Sequence, residues 1–137
     1  MGRITVRDLA ETCGDLDIVV ADHDVRAARA LARTLPRPVR VLEADASDPS
    51  ALARALEGSN VLLNSCHHDL NLRVMDAALA LGAHYCDLGG LFHVTKQQLK
   101  RNDQFRQHAP GFAGSGERFS RSRSPTLPSR STRSLRP

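Results

Sequence analysis

Polar side chains follow short apolar runs at three places in the first 70 residues. Asp22 and Asp45 come after the first two runs, and the third run passes directly into Asn64 and Ser65. Carboxylates accept hydrogen bonds from sugar hydroxyls, and amide and hydroxyl side chains both donate and accept them. Because these residues recur after successive apolar runs, the pattern favours a binding site for a nucleotide.

Asp22 is the most informative of these residues. It lies 20 positions past Gly2, a spacing that suits a carboxylate accepting hydrogen bonds from both hydroxyls of an adenosine ribose. Its negative charge would repel a 2′-phosphate and favour NAD over NADP, whereas His23 and Arg26 offset that repulsion and leave the choice open. The alternative role for Asp22 is a turn or a helix cap, since turns favour aspartate.

The other candidates end the later runs. Asp45 is expected at the adenine edge, with Ala46 small enough to let the ring approach, and a polar loop is the alternative. Asn64 and Ser65 are expected on the nicotinamide-ribose side. The last run ends in Asp87-Leu88-Gly89-Gly90, where two glycines allow the backbone to approach a ligand closely.

The apolar runs recur at a regular spacing, with helical segments between them. Their first residues are 21, 22 and 23 positions apart, which is typical of strands that alternate with helices in a parallel sheet. Asp24 and Asp48-Pro49 are start signals for helices, and Gly82 is a stop signal. The sequence therefore predicts an α/β fold with strands at Ile18–Ala21, Val39–Leu42, Val61–Asn64 and His84–Asp87.

Gly2 precedes the first helical segment, Arg3–Cys13, which Gly14 is expected to end. A strand one period before Ile18 would start upstream of Met1. The segment is therefore interpreted as the helix that should follow such a strand, with Gly2 as the last residue of a phosphate-binding turn. A small fold that begins with a helix is the alternative, and periodicity alone leaves it open.

Two stretches carry a family resemblance. Residues 61–90, VLLNSCHHDLNLRVMDAALALGAHYCDLGG, and residues 19–32, VVADHDVRAARALA, resemble the NAD(P)-binding domain of the saccharopine dehydrogenase-like family. That family shows a hydrophobic strand, an Asn and then N-x-x-V-x-x-A-A-x-x-x-G-x-x-Y-x-D-L-G-G, and the similarity covers roughly residues 1–108. The resemblance implies a Rossmann-like, doubly wound parallel sheet and NAD or NADP as cofactor.

The resemblance also implies cofactor roles for Gly2 as the last glycine of a G-x-G-x-x-G turn, Asp22 at the ribose, Asp45 on the adenine side, and Asn64 and Ser65 beside the pyrophosphate or the nicotinamide arm. With His23 beside Asp22 and the small Ala46 beside Asp45, the expected cofactor site has seven residues, and no catalytic residue is expected.

Parts of the family pattern have no counterpart in this sequence. Family members usually begin with a strand and two earlier glycines, and their substrate and catalytic residues lie largely in a second domain. The expected fold is therefore a Rossmann-like sheet without its first, central strand, whose two exposed edges allow self-association. We expect a fragment of an oxidoreductase for amino-acid or polyamine-type C–N substrates, with weak or no dinucleotide binding and no activity alone.

The excess positive charge lies at the C-terminal end. Residues 1–110 carry 13 Lys and Arg against 14 Asp and Glu, whereas residues 111–137 carry six Arg and one Glu. This tail also holds seven Ser and three Pro, a composition that predicts disorder, and a frameshift would explain its abrupt loss of family pattern. Because no folded recognition element accompanies the arginines, we do not expect nucleic-acid binding.

Compartment and metal chemistry can also be judged from the sequence. The chain has no apolar stretch of membrane-spanning length and no secretory signal, which predicts a cytoplasmic protein without membrane contact. Cys66-His67-His68 and His84-x-Cys86 are candidates for zinc, but they lack the paired C-x2-C spacing. Buried cysteines are the favoured interpretation, and no metal ligand is expected.

Overall fold

The computed structural model describes residues 1–108, and the predicted disordered tail, residues 111–137, lies outside them. Helices and parallel strands alternate along the described chain, as the period predicts. The elements are α1 (Gly2–Thr12), β1 (Val19–Asp22), α2 (Val25–Ala32), β2 (Arg40–Glu43), α3 (Pro49–Ala55), β3 (Val61–Asn64), a 3-10 turn (His68–Leu70), α4 (Asn71–Leu81), β4 (His84–Asp87), α5 (Phe92–Leu99) and α6 (Asn102–His108).

The predicted helix signals are confirmed by their hydrogen bonds. Asp24 caps α2, where its Oδ1 accepts from the second and third backbone N–H groups at 3.1 and 3.0 Å. Asp48 caps α3 in the same way at 3.0 and 2.9 Å, with Pro49 as the first helical residue. Gly82 ends α4 with φ of 65°, a left-handed conformation that suits glycine. α1 ends at Thr12 with Cys13 as its C-cap, so the predicted stop residue, Gly14, directly follows the end of the helix.

The strands form two separate parallel pairs. β1 pairs with β2 and β3 pairs with β4, whereas β1 and β3 do not pair with each other. The carbonyls of Ile18 and Asp22 accept hydrogen bonds from backbone N–H groups next to and within β2. Because successive residues of a strand direct their backbone N–H and C=O groups to opposite edges, those of Val19 and Ala21 point to the unpaired edge of β1. Both pairs thus keep an edge available to a further strand, as the sequence predicted.

Two hydrophobic clusters stabilise these pairs. The first lies under β3 and β4, and the second under β1. The buried members of the first are Leu52, Leu62, Val74, Ala77, Ala78 and Ala83; those of the second are Ala10, Ile18, Val20 and Ala28.

Only one face of β3 is covered. Leu62 is 5% exposed, whereas Val61 and Leu63, on the opposite face, are 59% and 39% exposed. Ile4 of α1 is also 72% exposed. An uncovered apolar face of this kind is where a folded domain accepts another surface.

The prediction that the cysteines are buried is wrong for Cys66, which follows β3, and for Cys86, which lies in β4. Cys66 and Cys86 are both exposed and form no disulfide. In β4 it is Tyr85, not Cys86, that packs against the first hydrophobic cluster. Within residues 1–108, no helix is both long and apolar enough to cross a membrane.

Candidate nucleotide site at the strand ends

The predicted site residues lie at or just beyond the carboxyl ends of the strands. Parallel pairing aligns Asp22 with Glu43 at the ends of β1 and β2, and Asn64 with Asp87 at the ends of β3 and β4. Partial burial raises the pKa of the Cys66 thiol in the loop after β3, and the negative charge of Asp22 at the end of β1 raises it further.

Asp22 has one carboxylate oxygen engaged and one open. Its Oδ1 accepts the backbone N–H of Asp24 at 2.9 Å and lies 3.2 Å from Nδ1 of His23. Within the described chain, the other carboxylate oxygen of Asp22, Oδ2, neither accepts the Asp24 N–H nor contacts the His23 ring. Asp22 therefore stabilises a turn through Oδ1 and still has an exposed oxygen that can accept a hydrogen bond. The turn role and the ribose-binding role expected from the sequence are compatible.

Gly2 lies beside Ser65 at the start of α1. A Cβ on Gly2 would stand 3.4 Å from Cβ of Ser65, an ordinary van der Waals separation, so α1 begins next to the end of β3. The Met1 carbonyl accepts the N–H groups of Ile4 and Thr5 at 2.9 and 3.3 Å. The first two amides of α1 lack a carbonyl partner within the helix, as at any helix N-terminus, and such amides attract anions.

Asp45 and Ala46 belong to a turn that is tied to the core. Oδ1 of Asp45 accepts the N–H of Ser47 at 2.8 Å, and this bond is the main reason that the pKa of the Asp45 carboxyl is lowered. The Ser47 carbonyl accepts from Arg73 of α4 at 3.0 Å, while Ala46 packs against the first hydrophobic cluster. The Asp45 carboxylate is exposed, so it remains accessible to a ligand.

Asn64 is buried, and its polar atoms are occupied internally. Its Nδ2 donates to Oδ1 of Asn71 at 2.9 Å and to the Tyr85 hydroxyl at 3.2 Å, and its Oδ1 accepts the N–H of Cys66 at 3.0 Å. The side chain therefore fixes the path of the loop that carries Ser65. This geometry favours a positioning role for Asn64 over direct contact with a ligand.

The network continues through Tyr85 to Asp87, which the sequence did not identify as linked residues. The Tyr85 hydroxyl donates to Oδ2 of Asp87 at 2.7 Å, and Gln98 of α5 donates to the same oxygen. The three side chains help to line a cleft of about 380 Å³ beside β4. Burial raises the pKa of Tyr85, so its hydroxyl remains protonated as a donor.

Asp87 should make stability depend on pH in the acid range. Burial opposes its ionised form, but hydrogen bonds from Tyr85, the Gly89 N–H and Gln98 outweigh burial and lower the pKa of the carboxyl. A lowered pKa in the folded state stabilises the fold above the unfolded value of about 4, and this contribution is lost as pH falls through the folded pKa.

We therefore expect the free energy of unfolding to fall less between about pH 4 and pH 2 in Asp87→Asn than in the wild-type protein. At neutral pH the variant should be the less stable of the two. Urea unfolding followed by circular dichroism across this range measures the difference. Asp8→Asn, at an exposed position in α1, is the control and should follow the wild-type pH profile. If the free energy of unfolding fell equally with pH in wild type and Asp87→Asn, the conclusion that folding lowers the pKa of the Asp87 carboxyl would be contradicted.

Comparison with known families adds one finding to this geometry. Residues 1–110 match the family model described as the saccharopine dehydrogenase NADP binding domain. The match spans every element described above, including the strand ends that carry Asp22, Asp45 and Asn64.

Proposed function

The chain belongs to the family of the saccharopine dehydrogenase NADP-binding domain, and from that premise we propose that its strand ends hold a nicotinamide dinucleotide for an oxidoreductase. The observation that carries the proposal is the Asp22 carboxylate at the end of β1, with Oδ2 open and Oδ1 fixed by the Asp24 N–H. A carboxylate held in this way accepts hydrogen bonds from ribose hydroxyls without having to rearrange.

The residues of this chain fit the dinucleotide in part. Asp22, with His23 beside it, would hold the adenosine ribose, and the exposed carboxylate of Asp45 with Ala46 would border the adenine. The N-terminus of α1 at Gly2 is the element that attracts an anion beside Ser65. When bound, the nicotinamide supplies hydride transfer, and the residues above bind and orient it.

We further propose that the 137-residue chain binds the dinucleotide weakly and is inactive alone. The unpaired edges of β1 and β3 leave the central region of the sheet without a strand among the described residues. Substrate chemistry on an amino-acid or polyamine-type C–N bond would need proton-handling groups at this edge. Asp87 and Tyr85 are not suited to it, because each is held by the other and by the α5 residue Gln98.

Ligand-observed NMR titration of the chain with NADH and NADPH tests the proposal. We expect dissociation constants of roughly 0.1–1 mM for the wild type, and Asp22→Asn should weaken NADH binding about tenfold through loss of charge-assisted hydrogen bonds. The same variant should not weaken NADPH binding, because it removes repulsion of the 2′-phosphate. Asn keeps an Oδ1 for the Asp24 N–H, so the start of α2 is preserved.

Asp15→Asn, at an exposed position before β1, is the matched control and should bind both dinucleotides as the wild type does. Equal NADH affinity in Asp22→Asn and wild type would exclude the ribose role of Asp22. Micromolar binding by the wild type would instead contradict the proposal of weak binding while leaving the site in place.

A further inference from the structure

The loop between β3 and α4 brings together three metal-ligating side chains, His67, His68 and Asp69. We propose that these residues bind a divalent transition ion of the zinc class. Their candidate ligand atoms all lie within 4.8 Å of one another, and they form the metal-ligating cluster found within residues 1–108. The proposal is independent of the dinucleotide, although the cluster follows Ser65 by only two residues.

The distances between the ligand atoms suit a small ion. Nδ1 of His67 lies 3.2 Å from Oδ2 of Asp69, and Nε2 of His68 lies 3.3 Å from Oδ1 of the same carboxylate. Four ligands placed tetrahedrally about 2.0–2.2 Å from zinc are separated from one another by roughly 3.3–3.5 Å. The His67 and His68 ring centroids lie 3.9 Å apart, so the exposed His67 ring must turn away from His68 before one ion contacts both imidazoles and the carboxylate.

The local fold fixes the backbone that carries the three side chains. The Leu70 N–H donates to the His67 carbonyl at 3.0 Å and closes the 3-10 turn on which the ligands lie. His68 is the most enclosed of the three, with its side chain 27% exposed. It packs against Gly90, where a Cβ would lie 2.9 Å from the His68 Cβ, so only glycine allows this approach.

The donor set also indicates which ion fits. Two imidazoles and one carboxylate match the preferences of Zn²⁺, whereas Mg²⁺ and Ca²⁺ take oxygen ligands. Three protein ligands leave a fourth position for water or another group. This set differs from the one that the sequence suggested, because Cys66 and Cys86 are not members of the cluster.

Zinc titration of the untagged, chelator-treated 137-residue chain tests the proposal. Isothermal titration calorimetry should show one saturable site of micromolar dissociation constant. His67→Gln, His68→Gln and Asp69→Asn should each weaken binding at least tenfold. His93→Gln, which removes an exposed imidazole of α5, and Cys66→Ser are the controls and should bind zinc as the wild type does.

Circular dichroism of each variant establishes that its fold is retained, and NMR signals of the His67 and His68 rings should shift on addition of one equivalent of zinc. Absence of saturable binding up to about 100 μM zinc would overturn the proposal. Binding that survives the three ligand variants, or that is lost in Cys66→Ser, would also overturn it, because the ion would then lie elsewhere. A failure of dinucleotide binding leaves these outcomes unchanged.

Discussion

Replacing Leu62 by alanine is expected to lower the free energy of unfolding by about 2–5 kcal/mol. Leu62 is buried at the centre of β3, among Leu52, Val74 and Ala77 of the first hydrophobic cluster. Its neighbours include two alanines without exposed surface, Ala77 and Ala78, which are too short to fill the space that the leucine would leave. Urea unfolding of the wild type and the variant, followed by circular dichroism, measures the loss.

Leu63→Ala is a matched control, because it removes the same atoms at the next position of the same strand. Leu63 is on the uncovered face, and we expect a loss below about 1 kcal/mol. Equal losses for the two variants would contradict the conclusion that, in the monomer, Leu62 lies on the covered face of β3 and Leu63 on the uncovered face. If the Leu63→Ala loss grows with protein concentration, self-association covers this face, as the exposed sheet edges lead us to predict.

The Leu62 variant has consequences for the whole fold. A domain of this size is stable by only about 5–15 kcal/mol, and its apolar side chains are divided between two clusters rather than collected in one. The loss of one leucine is therefore a large part of the total. We expect the variant to populate its unfolded state measurably at 37 °C.

Local signals in the sequence predicted most of the fold. The strands Val61–Asn64 and His84–Asp87 have the predicted limits, and the helix caps at Asp24 and Asp48 form as expected. These features depend on neighbouring residues alone, so a single sequence specifies them. β1 and β2 each begin and end one residue later than predicted, at Val19–Asp22 and Arg40–Glu43, because their pairing runs from Val19 with Arg40 to Asp22 with Glu43.

The candidate site was less predictable where tertiary contacts decide it. No local pattern indicates that Asn71 is buried, yet the fold places it against Asn64. Cys86 has an apolar-looking position in β4, but its side chain lies on the exposed face while Tyr85 faces the core. Which face of a strand is covered depends on helices distant in the sequence, and no local pattern contains that information.

The second large effect is expected at Asn71, the first residue of α4. Its side chain is 1% exposed, its Oδ1 accepts from Asn64, and within the described chain its Nδ2 has no hydrogen-bond partner. Asn71→Asp keeps the acceptor for Asn64 but places a second oxygen, with a negative charge, where the unpaired Nδ2 lies. A buried charge without a partner costs about 3–5 kcal/mol.

An opposing effect must be weighed, because a carboxylate near the N-terminus of a helix gains about 0.3–1 kcal/mol from the helix dipole. The desolvation cost is larger, so we expect Asn71→Asp to lose about 2–4 kcal/mol at pH 7. Urea unfolding measures this loss, and Asn60→Asp, the same change at an exposed position before β3, should cost less than about 0.5 kcal/mol.

The pH dependence of the loss distinguishes burial of charge from simple misfit. Burial should raise the folded-state pKa of the new carboxyl above its unfolded value of about 3.9. A raised pKa means that the penalty is fully present above the folded pKa and diminishes as pH falls towards the unfolded one. Asn71→Asp should therefore approach wild-type stability near pH 4. A loss that is equal at pH 7 and pH 4 would show misfit of shape, and no loss at pH 7 would show that water or a ligand reaches the position of Nδ2. In that case the hydrogen-bond network from Asn64 to Asp87 would be accessible from the candidate site at the strand ends.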